Sequence, residues 1–219
     1  MTVYFISGLG ADRRVFSRLE MPSSITVKYI DWIEPLDKES LHDYCIRLAG
    51  QIQIDDDIVL VGLSFGGMVA IEMEKIVHPK HIIIISSIAT RNELPFYFRI
   101  IRTLRLHRTI SVSLMKRMAP IAHWYFNART KKEKTMLQSY LQTVSSRYLK
   151  WSINEVLNWQ NQHRPTQLFH IHGTADRTFP CRYTRADMLV KNGGHLMVYD
   201  KAKEVNEVLL NQLVKIVDS

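Results

Sequence analysis

A serine lies between two glycines directly after an apolar run, in the sequence GLSFG at residues 62–66. A Gly-x-Ser-x-Gly pattern between a strand and a helix is typical of a sharp turn that exposes the serine hydroxyl at the end of the strand. Small residues at Gly62 and Gly66 allow neighbouring backbone to approach closely. The N–H groups that begin the following helix carry partial positive charge at the same place. The pattern therefore predicts that Ser64 is a nucleophile.

A serine hydroxyl needs a base to take its proton and a third group to hold that base. Two later segments offer both: Asp176 follows the apolar run at residues 168–172, and His195 follows the last apolar run. Ser64, Asp176 and His195 thus stand in the order nucleophile, acid, base that one class of Ser-His-Asp enzymes uses. Only 19 residues separate Asp176 from His195. We expect a loop or one helical turn between them, and an open site on that side.

Six short apolar runs rich in β-branched residues predict buried strands, with helical patterns between them. They are Val3–Ser7, Ile25–Ile30, Ile58–Gly62, His81–Ser86, Leu168–His172 and Met188–Lys191. This alternation favours an α/β fold, in which a mostly parallel sheet of about six strands is covered by helices on both faces. Ser40 is expected to cap the helix that begins at Leu41. The helix after Ser64 is expected to end at His78, because Pro79 disfavours a helical residue before it.

Residues 91–165 interrupt the alternation and carry helical patterns only. Two segments in this range, Thr130–Glu133 and Ser152–Glu155, fit a capping box at the start of a helix. The range also holds 10 of the 21 aromatic residues. We expect it to form an all-helical insertion over the sheet edge where ligands bind, its aromatics lining an acyl or aryl pocket. Residues 1–90 and 166–219 would then form the core domain.

Taken together, these motifs resemble the α/β-hydrolase superfamily over nearly the whole chain. The resemblance implies that residues 91–165 occupy the place of the family's helical cap. It also implies an oxyanion hole formed by the backbone N–H groups of Leu9 and Phe65. The family usually has His-Gly after the corresponding first strand, whereas this chain has Ser7-Gly8. That difference leaves the backbone donors available.

The combined prediction is a serine hydrolase that cleaves an ester or thioester through an acyl-enzyme on Ser64, with no cofactor and no metal. The same residues would support acyl transfer or C–C bond hydrolysis, and the sequence leaves these open. A non-catalytic binding protein on the same scaffold is an alternative of a different class.

Two further motifs point elsewhere. Gly8-x-Gly10 after the first strand, with Asp31 ending the second, resembles the start of a dinucleotide-binding fingerprint. The third glycine of that fingerprint is replaced by Arg13, and the fingerprint leaves Ser64 and its partners unexplained. His170 and His172 share one strand face and could ligate a metal, but no third ligand stands near them in the sequence.

The net charge of +8 is concentrated in residues 91–165, which hold 14 Lys and Arg against three acids. Arg99, Arg102 and Arg105 recur at a spacing of three, with Arg108 close by. A basic segment in an otherwise slightly acidic chain does not indicate nucleic-acid binding. Lys and Arg are the usual outward residues of amphipathic helices, so the segment can be explained as a solvated surface. The near absence of acids also allows the hypothesis that it attracts an anionic small-molecule acyl substrate, or alternatively an acidic partner protein or an anionic membrane surface.

The compartment prediction uses hydropathy and cysteine spacing. No apolar run reaches the ~18 residues that a membrane span needs, and the N-terminus lacks the pattern of a signal peptide. Cys45 and Cys181 form neither a zinc spacing nor a disulfide framework. We expect a cytoplasmic protein without stable membrane insertion.

Overall fold

The computed structural model describes residues 1–53, 57–105, 114, 117 and 119–217. Six strands form one sheet: β1 (Thr2–Ile6), β2 (Thr26–Ile30), β3 (Ile58–Leu63), β4 (His81–Ile85), β5 (Leu168–Gly173) and β6 (Met188–Val190). Every neighbouring pair is parallel, and the strand order is β2-β1-β3-β4-β5-β6. The predicted parallel α/β sheet is confirmed, and each strand agrees with its predicted run to within one residue at either end.

The described α-helices follow in chain order. They are α1 (Leu41–Ala49), α2 (Phe65–Glu72), α3 (Glu74–Val77), α4 (Phe96–Thr103), α5 (Ala119–Tyr125), α6 (Lys131–Thr143), α7 (Ser146–Asn158), α8 (Met197–Asp200) and α9 (Ala202–Val217). Short 3₁₀ turns occur at Arg13–Phe16, Arg91–Glu93 and Cys181–Tyr183. The last of these is the single helical turn expected between Asp176 and His195. Within the described ranges, every helix is too short or too polar to cross a bilayer.

The sheet separates two apolar cores because successive strand residues point to opposite faces. Tyr4 and Ile6 of β1 pack with α1 and α2 on one face. Val3 and Phe5 pack with α8 and α9 on the other face. All four side chains are almost completely buried. Burial on both faces explains why the strands read as continuous apolar runs.

The ends of the first helices follow the sequence signals. The Ser40 hydroxyl accepts a hydrogen bond from the Asp43 N–H at 3.1 Å and caps α1. After α2, the chain continues through α3 to Val77, and His78 ends the helix in a left-handed conformation directly before Pro79. Both predicted helix ends are confirmed.

One of the two predicted capping boxes is present. Thr130 caps α6, and the Glu133 carboxylate accepts the Thr130 backbone N–H in return. The capping box predicted at Ser152 is wrong, because α7 begins earlier with Ser145 as its cap. Ser152 lies inside that helix, fully buried, and donates to the Tyr148 carbonyl.

The described part of residues 91–165 is helical apart from its connecting segments. However, α7 and the segment after it do not form a layer separate from the core of the sheet. Tyr148, Val156 and Trp159 belong to the same buried cluster as β1 and α1. The Trp159 indole donates to the Glu72 carboxylate at 2.7 Å, which ties the end of α7 to α2. The division into a core and an insertion at residue 165 stays a prediction, whereas the apolar packing continues across it.

Trp159 tests whether this packing stabilises the sheet. Replacing Trp159, which is 4% exposed, by Ala should lower the free energy of unfolding by about 3–5 kcal/mol, the range for large aromatics in cores. Urea denaturation would measure it, with Val214→Ala at an exposed position of α9 as the control. A loss below about 1 kcal/mol, the median range of surface effects, would show that this segment is peripheral.

Candidate active site

Ser64 connects β3 to α2 in a conformation that few residues adopt. Its φ of 54° and ψ of −119° lie outside the ordinary regions for a residue with a side chain. The Ser64 N–H donates to the Ile85 carbonyl at 2.9 Å, and the Ser87 hydroxyl donates to the Ser64 carbonyl at 2.6 Å. The surrounding backbone therefore imposes this geometry and holds the hydroxyl at the carboxyl edge of the sheet.

Two glycines make the turn possible. A Cβ on Gly62 would lie 2.3 Å from the Gly66 carbonyl oxygen. A Cβ on Gly66 would lie 2.3 Å from the carbonyl oxygens of both Ile6 and Ser7. These distances are far inside van der Waals contact. Gly62 is therefore required for the close approach of β3 to the start of α2, and Gly66 for the close approach of α2 to the end of β1.

The structure brings Ser64, Asp176 and His195 together from the ends of three segments. The Ser64 Oγ lies 2.8 Å from His195 Nε2, and His195 Nδ1 lies 2.9 Å from Asp176 Oδ2. His195 and Asp176 are 2% and 4% exposed. A carboxylate accepts, so Nδ1 carries a proton and Nε2 is free to accept the Ser64 proton. This connectivity can activate a hydroxyl for attack on a carbonyl carbon.

The Asp176 carboxylate is held by its own loop. Its Oδ1 accepts the backbone N–H groups of Thr178 at 2.8 Å and Phe179 at 3.0 Å. These bonds leave Oδ2 directed at His195. The aromatic rings of Phe126 and Phe179 lie 5.4 and 5.7 Å from the His195 ring and limit its movement.

Two buried histidines form a hydrogen-bonded pair, and one of them bonds to the same loop. His172 Nε2 lies 2.7 Å from the Phe179 carbonyl oxygen, which can only accept, so this nitrogen carries the proton. His170 Nε2 lies 3.0 Å from His172 Nδ1. Burial is the main cause that lowers the pKa of both histidines below their ordinary value, and the nearby Asp176 opposes part of this shift at His172. Both therefore act as neutral structural groups.

Asn127 links the helical segments to the loop that carries Asp176, which we call the acid loop. Its side-chain amide donates to the Ala175 carbonyl at 3.0 Å, and its oxygen accepts the Arg177 N–H at 3.1 Å. A Cβ on Gly194 would lie 2.5 Å from the Asn127 Cβ, so glycine before His195 makes room for this contact. The sequence analysis missed this role, since no local pattern relates residue 127 to residues 175–177.

The Leu9 and Phe65 backbone N–H groups both border the cavity at Ser64. Neither has an acceptor in the part of the chain that the structure describes. The turn before Leu9 is fixed by a hydrogen bond from the Ala11 N–H to the Gly8 carbonyl at 3.0 Å. The Trp32 indole donates to the same carbonyl at 3.2 Å, and its ring stacks on Phe65 at 5.6 Å. Sequence analysis did not identify Trp32.

An apolar cavity of about 290 Å³ opens at Ser64. Its walls come from the turn after β1 and from α4, α5, α6, α7 and the acid loop. Representative lining residues are Phe98, Phe126, Leu141, Val144, Ile153 and Phe179. None of the described residues that line it carries a charged side chain. The cavity therefore fits an uncharged, apolar group next to the Ser64 hydroxyl.

The arginines of α4 and of the turn after it are not among the lining residues of this cavity. Phe98 and Ile101 line it, whereas Arg99 and Arg105 are exposed and Arg102 is half-buried. Arg108 lies outside the described residues. The attraction of an anion by these arginines therefore stays a prediction about the surface around the site.

The residues of the possible dinucleotide-binding and metal-binding motifs bond to other groups of the protein. Asp31 pairs with Arg13 at 2.9 Å on the surface, and the turn with Gly8 and Gly10 borders Ser64. His170 and His172 bond to each other and to backbone. Among the described residues, no three His, Cys, Asp or Glu side chains are grouped so that they could hold a metal ion.

Comparison with known proteins identifies the family of this chain and solved structures that resemble it. The model of the alpha/beta hydrolase family matches residues 3–208.

Among solved structures, MenH from S. aureus has a TM-score of 0.75 at 12% identity, covering 99% of this chain and 94% of that one. A thermophilic esterase from Thermogutta terrifontis has a TM-score of 0.69 at 15% identity, covering 99% and 90%. A hydrolase from Pseudomonas aeruginosa PA01 has a TM-score of 0.71 at 12% identity, covering 97% and 89%. Identities this low show a shared fold. No curated protein sequence matches significantly.

The buried histidines predict a specific acid sensitivity. An unfolded histidine titrates near pH ~6.5, whereas burial lowers the folded pKa of His170 and His172. As the pH falls below ~6.5, the unfolded chain takes up protons that the folded chain does not, so the free energy of unfolding falls. The loss is about 1.4 kcal/mol per histidine at pH 5.5 if neither protonates in the fold.

Urea denaturation of wild type and of His172→Gln at pH 7.5 and 5.5 measures this effect. The variant should be less stable at pH 7.5 but should lose about 1.4 kcal/mol less on acidification. His170→Gln is a second variant, and His42→Gln changes an exposed histidine as the control. An identical acid-induced loss in wild type and in both buried-site variants would contradict the prediction.

Proposed function

Because the chain belongs to the alpha/beta hydrolase family, we propose that it is a serine hydrolase that cleaves an ester or thioester of an apolar acyl group. The observation that carries the proposal is the connected series Ser64 Oγ, His195 imidazole and Asp176 carboxylate, with contacts of 2.8 and 2.9 Å. The apolar cavity at the same hydroxyl supports the choice of acyl group.

The first step is attack of Ser64 Oγ on the substrate carbonyl carbon. His195 Nε2 accepts the hydroxyl proton as the new C–O bond forms. Asp176 keeps the proton on Nδ1 and stabilises the imidazolium that results. The Thr178 and Phe179 N–H groups hold the carboxylate in place during this change.

The carbonyl oxygen gains negative charge in this step. The unused N–H groups of Leu9 and Phe65 would donate to it, and each such donor typically lowers the barrier by ~3 kcal/mol. Phe65 is also the first residue of α2, so the partial positive charge of the helix start acts on the same oxygen. No side-chain movement is needed to supply these donors.

Collapse of the tetrahedral intermediate breaks the bond to the leaving group. The His195 imidazolium returns its proton to the departing alcohol or thiol, and the acyl group stays bound to Ser64 Oγ. A water molecule then attacks the acyl-enzyme with His195 as its base. Release of the carboxylic acid restores the Ser64 hydroxyl.

Substitutions in the triad test this mechanism. Ser64→Ala and His195→Ala should each lower kcat for a p-nitrophenyl ester by about 10⁴-fold or more. Asp176→Asn should also cost orders of magnitude by favouring the wrong tautomer of His195. A fluorophosphonate probe should label wild type on Ser64 and leave Ser64→Ala unlabelled.

Ser23→Ala, at an exposed serine remote from the site, is the control for labelling and for rate. Circular dichroism and thermal unfolding would show that each variant is folded. Absence of any covalent adduct on Ser64 in the wild-type protein would overturn the proposed function.

The cavity predicts a preference for medium acyl chains. Each methylene that enters it should contribute about 0.8 kcal/mol, or roughly fourfold in kcat/KM. A series of p-nitrophenyl esters should therefore show rising kcat/KM from acetate to hexanoate and a sharp fall at palmitate. Leu141→Trp, which fills the cavity from α6, should shift the optimum to acetate. Gln138→Trp at an exposed position of the same helix is the control. A chain-length profile unchanged by Leu141→Trp would show that the acyl group binds elsewhere.

A further inference from the structure

Two open clefts adjoin the apolar cavity on the side of α5. The first, about 640 Å³, lies between α5 and the acid loop, and it shares Tyr125 with the apolar cavity. The second, about 330 Å³, lies between α5 and α6, and it shares Trp124 and Arg177 with the first. The cavity at Ser64 and the two clefts are therefore neighbours along α5. We call the two openings together the basic cleft.

Four cationic side chains line the basic cleft: Arg129, Lys134, Arg177 and Arg182. Asp176 is the one carboxylate among its lining residues, and this carboxylate is committed to His195 at 2.9 Å. None of the four cations forms an ion pair with any residue that the structure describes. The basic cleft thus has unbalanced positive charge beside the reacting centre.

Several arginines elsewhere are paired with acids. Arg14 bonds to Asp12 at 2.7 Å, Arg47 to Glu39 at 2.7 Å and Arg164 to Asp187 at 2.6 Å. The cations of the basic cleft have no such partner among the described residues, and unlike exposed arginines such as Arg99 they lie together in one opening. Since like charges repel when they are brought together, a group of this kind favours an anion that neutralises it.

The two arginines nearest the acid loop are held in place by aromatic rings. The Arg177 guanidinium lies 4.8 Å from the centre of the Trp124 ring and donates to the Trp124 carbonyl at 3.1 Å. The Arg182 guanidinium lies 4.9 Å from the centre of the Tyr183 ring. Stacking of this kind orients a guanidinium and leaves N–H donors at its edge free.

A histidine adds a further polar group. His123 lines the second cleft together with Arg129 and Lys134. Its Nε2 is inaccessible to solvent and has no hydrogen-bond partner among the described residues. Such a buried atom is satisfied only when another group supplies the bond.

We propose that the basic cleft binds a phosphate group carried on the leaving-group side of the substrate. The inference rests on the proposed function, since it assigns the acyl part to the apolar cavity and the departing part to the basic cleft. A phosphate is compact, multiply charged and matched in geometry to guanidinium groups, so several converging cations favour it over a single carboxylate. The substrate class is therefore an acyl thioester or ester whose leaving arm ends in a phosphate.

Two thioesters with the same acyl group isolate the phosphate. Hexanoyl-pantetheine and hexanoyl-coenzyme A share the reacting bond, and only the second carries phosphates. Wild type should favour the second at least ~10-fold in kcat/KM at low salt, and this ratio should shrink as added salt screens the charges. Arg177→Gln combined with Arg182→Gln should bring the ratio close to one.

Arg99→Gln on α4 combined with Arg105→Gln just after it removes the same amount of charge outside the basic cleft and is the matched control. It should leave most of the ratio intact. An equal loss of the ratio in both double variants would assign the effect to general surface charge and overturn the proposal.

A binding measurement separates this proposal from the catalytic one. The Ser64→Ala protein, which cannot form the acyl-enzyme, would be titrated with 4′-phosphopantetheine, pantetheine and coenzyme A. The phosphorylated arm should bind at least ~10-fold more tightly than pantetheine, and Arg177→Gln should reduce that difference. If only coenzyme A binds more tightly than pantetheine, the phosphate that is recognised is at the nucleotide end of coenzyme A. Equal Kd values for all three compounds would overturn the proposal whether or not Ser64 is a nucleophile.

Discussion

The approach of α2 to the end of β1 is the constraint on which the site depends. Gly66 lies so close to the carbonyl oxygens of Ile6 and Ser7 that no side chain fits between them. Ser64 has a positive φ next to this contact, and Leu9 and Phe65 both line the cavity at its hydroxyl. The turn after β1 and the start of α2 are thus placed relative to each other by one backbone contact. The strain at Ser64 is compensated by the sheet, whose central strands are buried on both faces.

The positions of His195 and Asp176 depend on contacts between segments that are distant in the chain. The His195 ring lies 5.4 Å from the ring of Phe126, in the helical segments, and 5.7 Å from the ring of Phe179, in the acid loop. Asn127 bonds to that loop on both sides of Asp176. The segments between β4 and β5 therefore line the cavity at Ser64 and also contact His195 and the loop that carries Asp176.

Sequence patterns predicted the sheet because a strand buried on both faces is a continuous apolar run, which can be recognised locally. They also located Ser64, Asp176 and His195, since each follows such a run and the three come in a characteristic order. The Ser152 capping box failed because a Ser-x-x-Glu pattern does not show whether a helix has already begun. The roles of Trp32 and Asn127 could not be predicted. Their partners are distant in the chain and meet only when the sheet has formed, and a tryptophan or asparagine carries no local signal for them.

The position of α7 couples the shape of the cavity to the stability of the fold. Its residues Val156 and Leu157 both line the cavity at Ser64 and are buried in the molecule, and Val156 is part of the main core. A substitution there that enlarges the cavity also removes core packing, so cavity shape and stability cannot change independently on this helix. The walls from α4 and α6 lie outside that core cluster for most of their residues. Substitutions on α4 and α6 should therefore reshape the cavity at a smaller loss of folding stability than substitutions on α7.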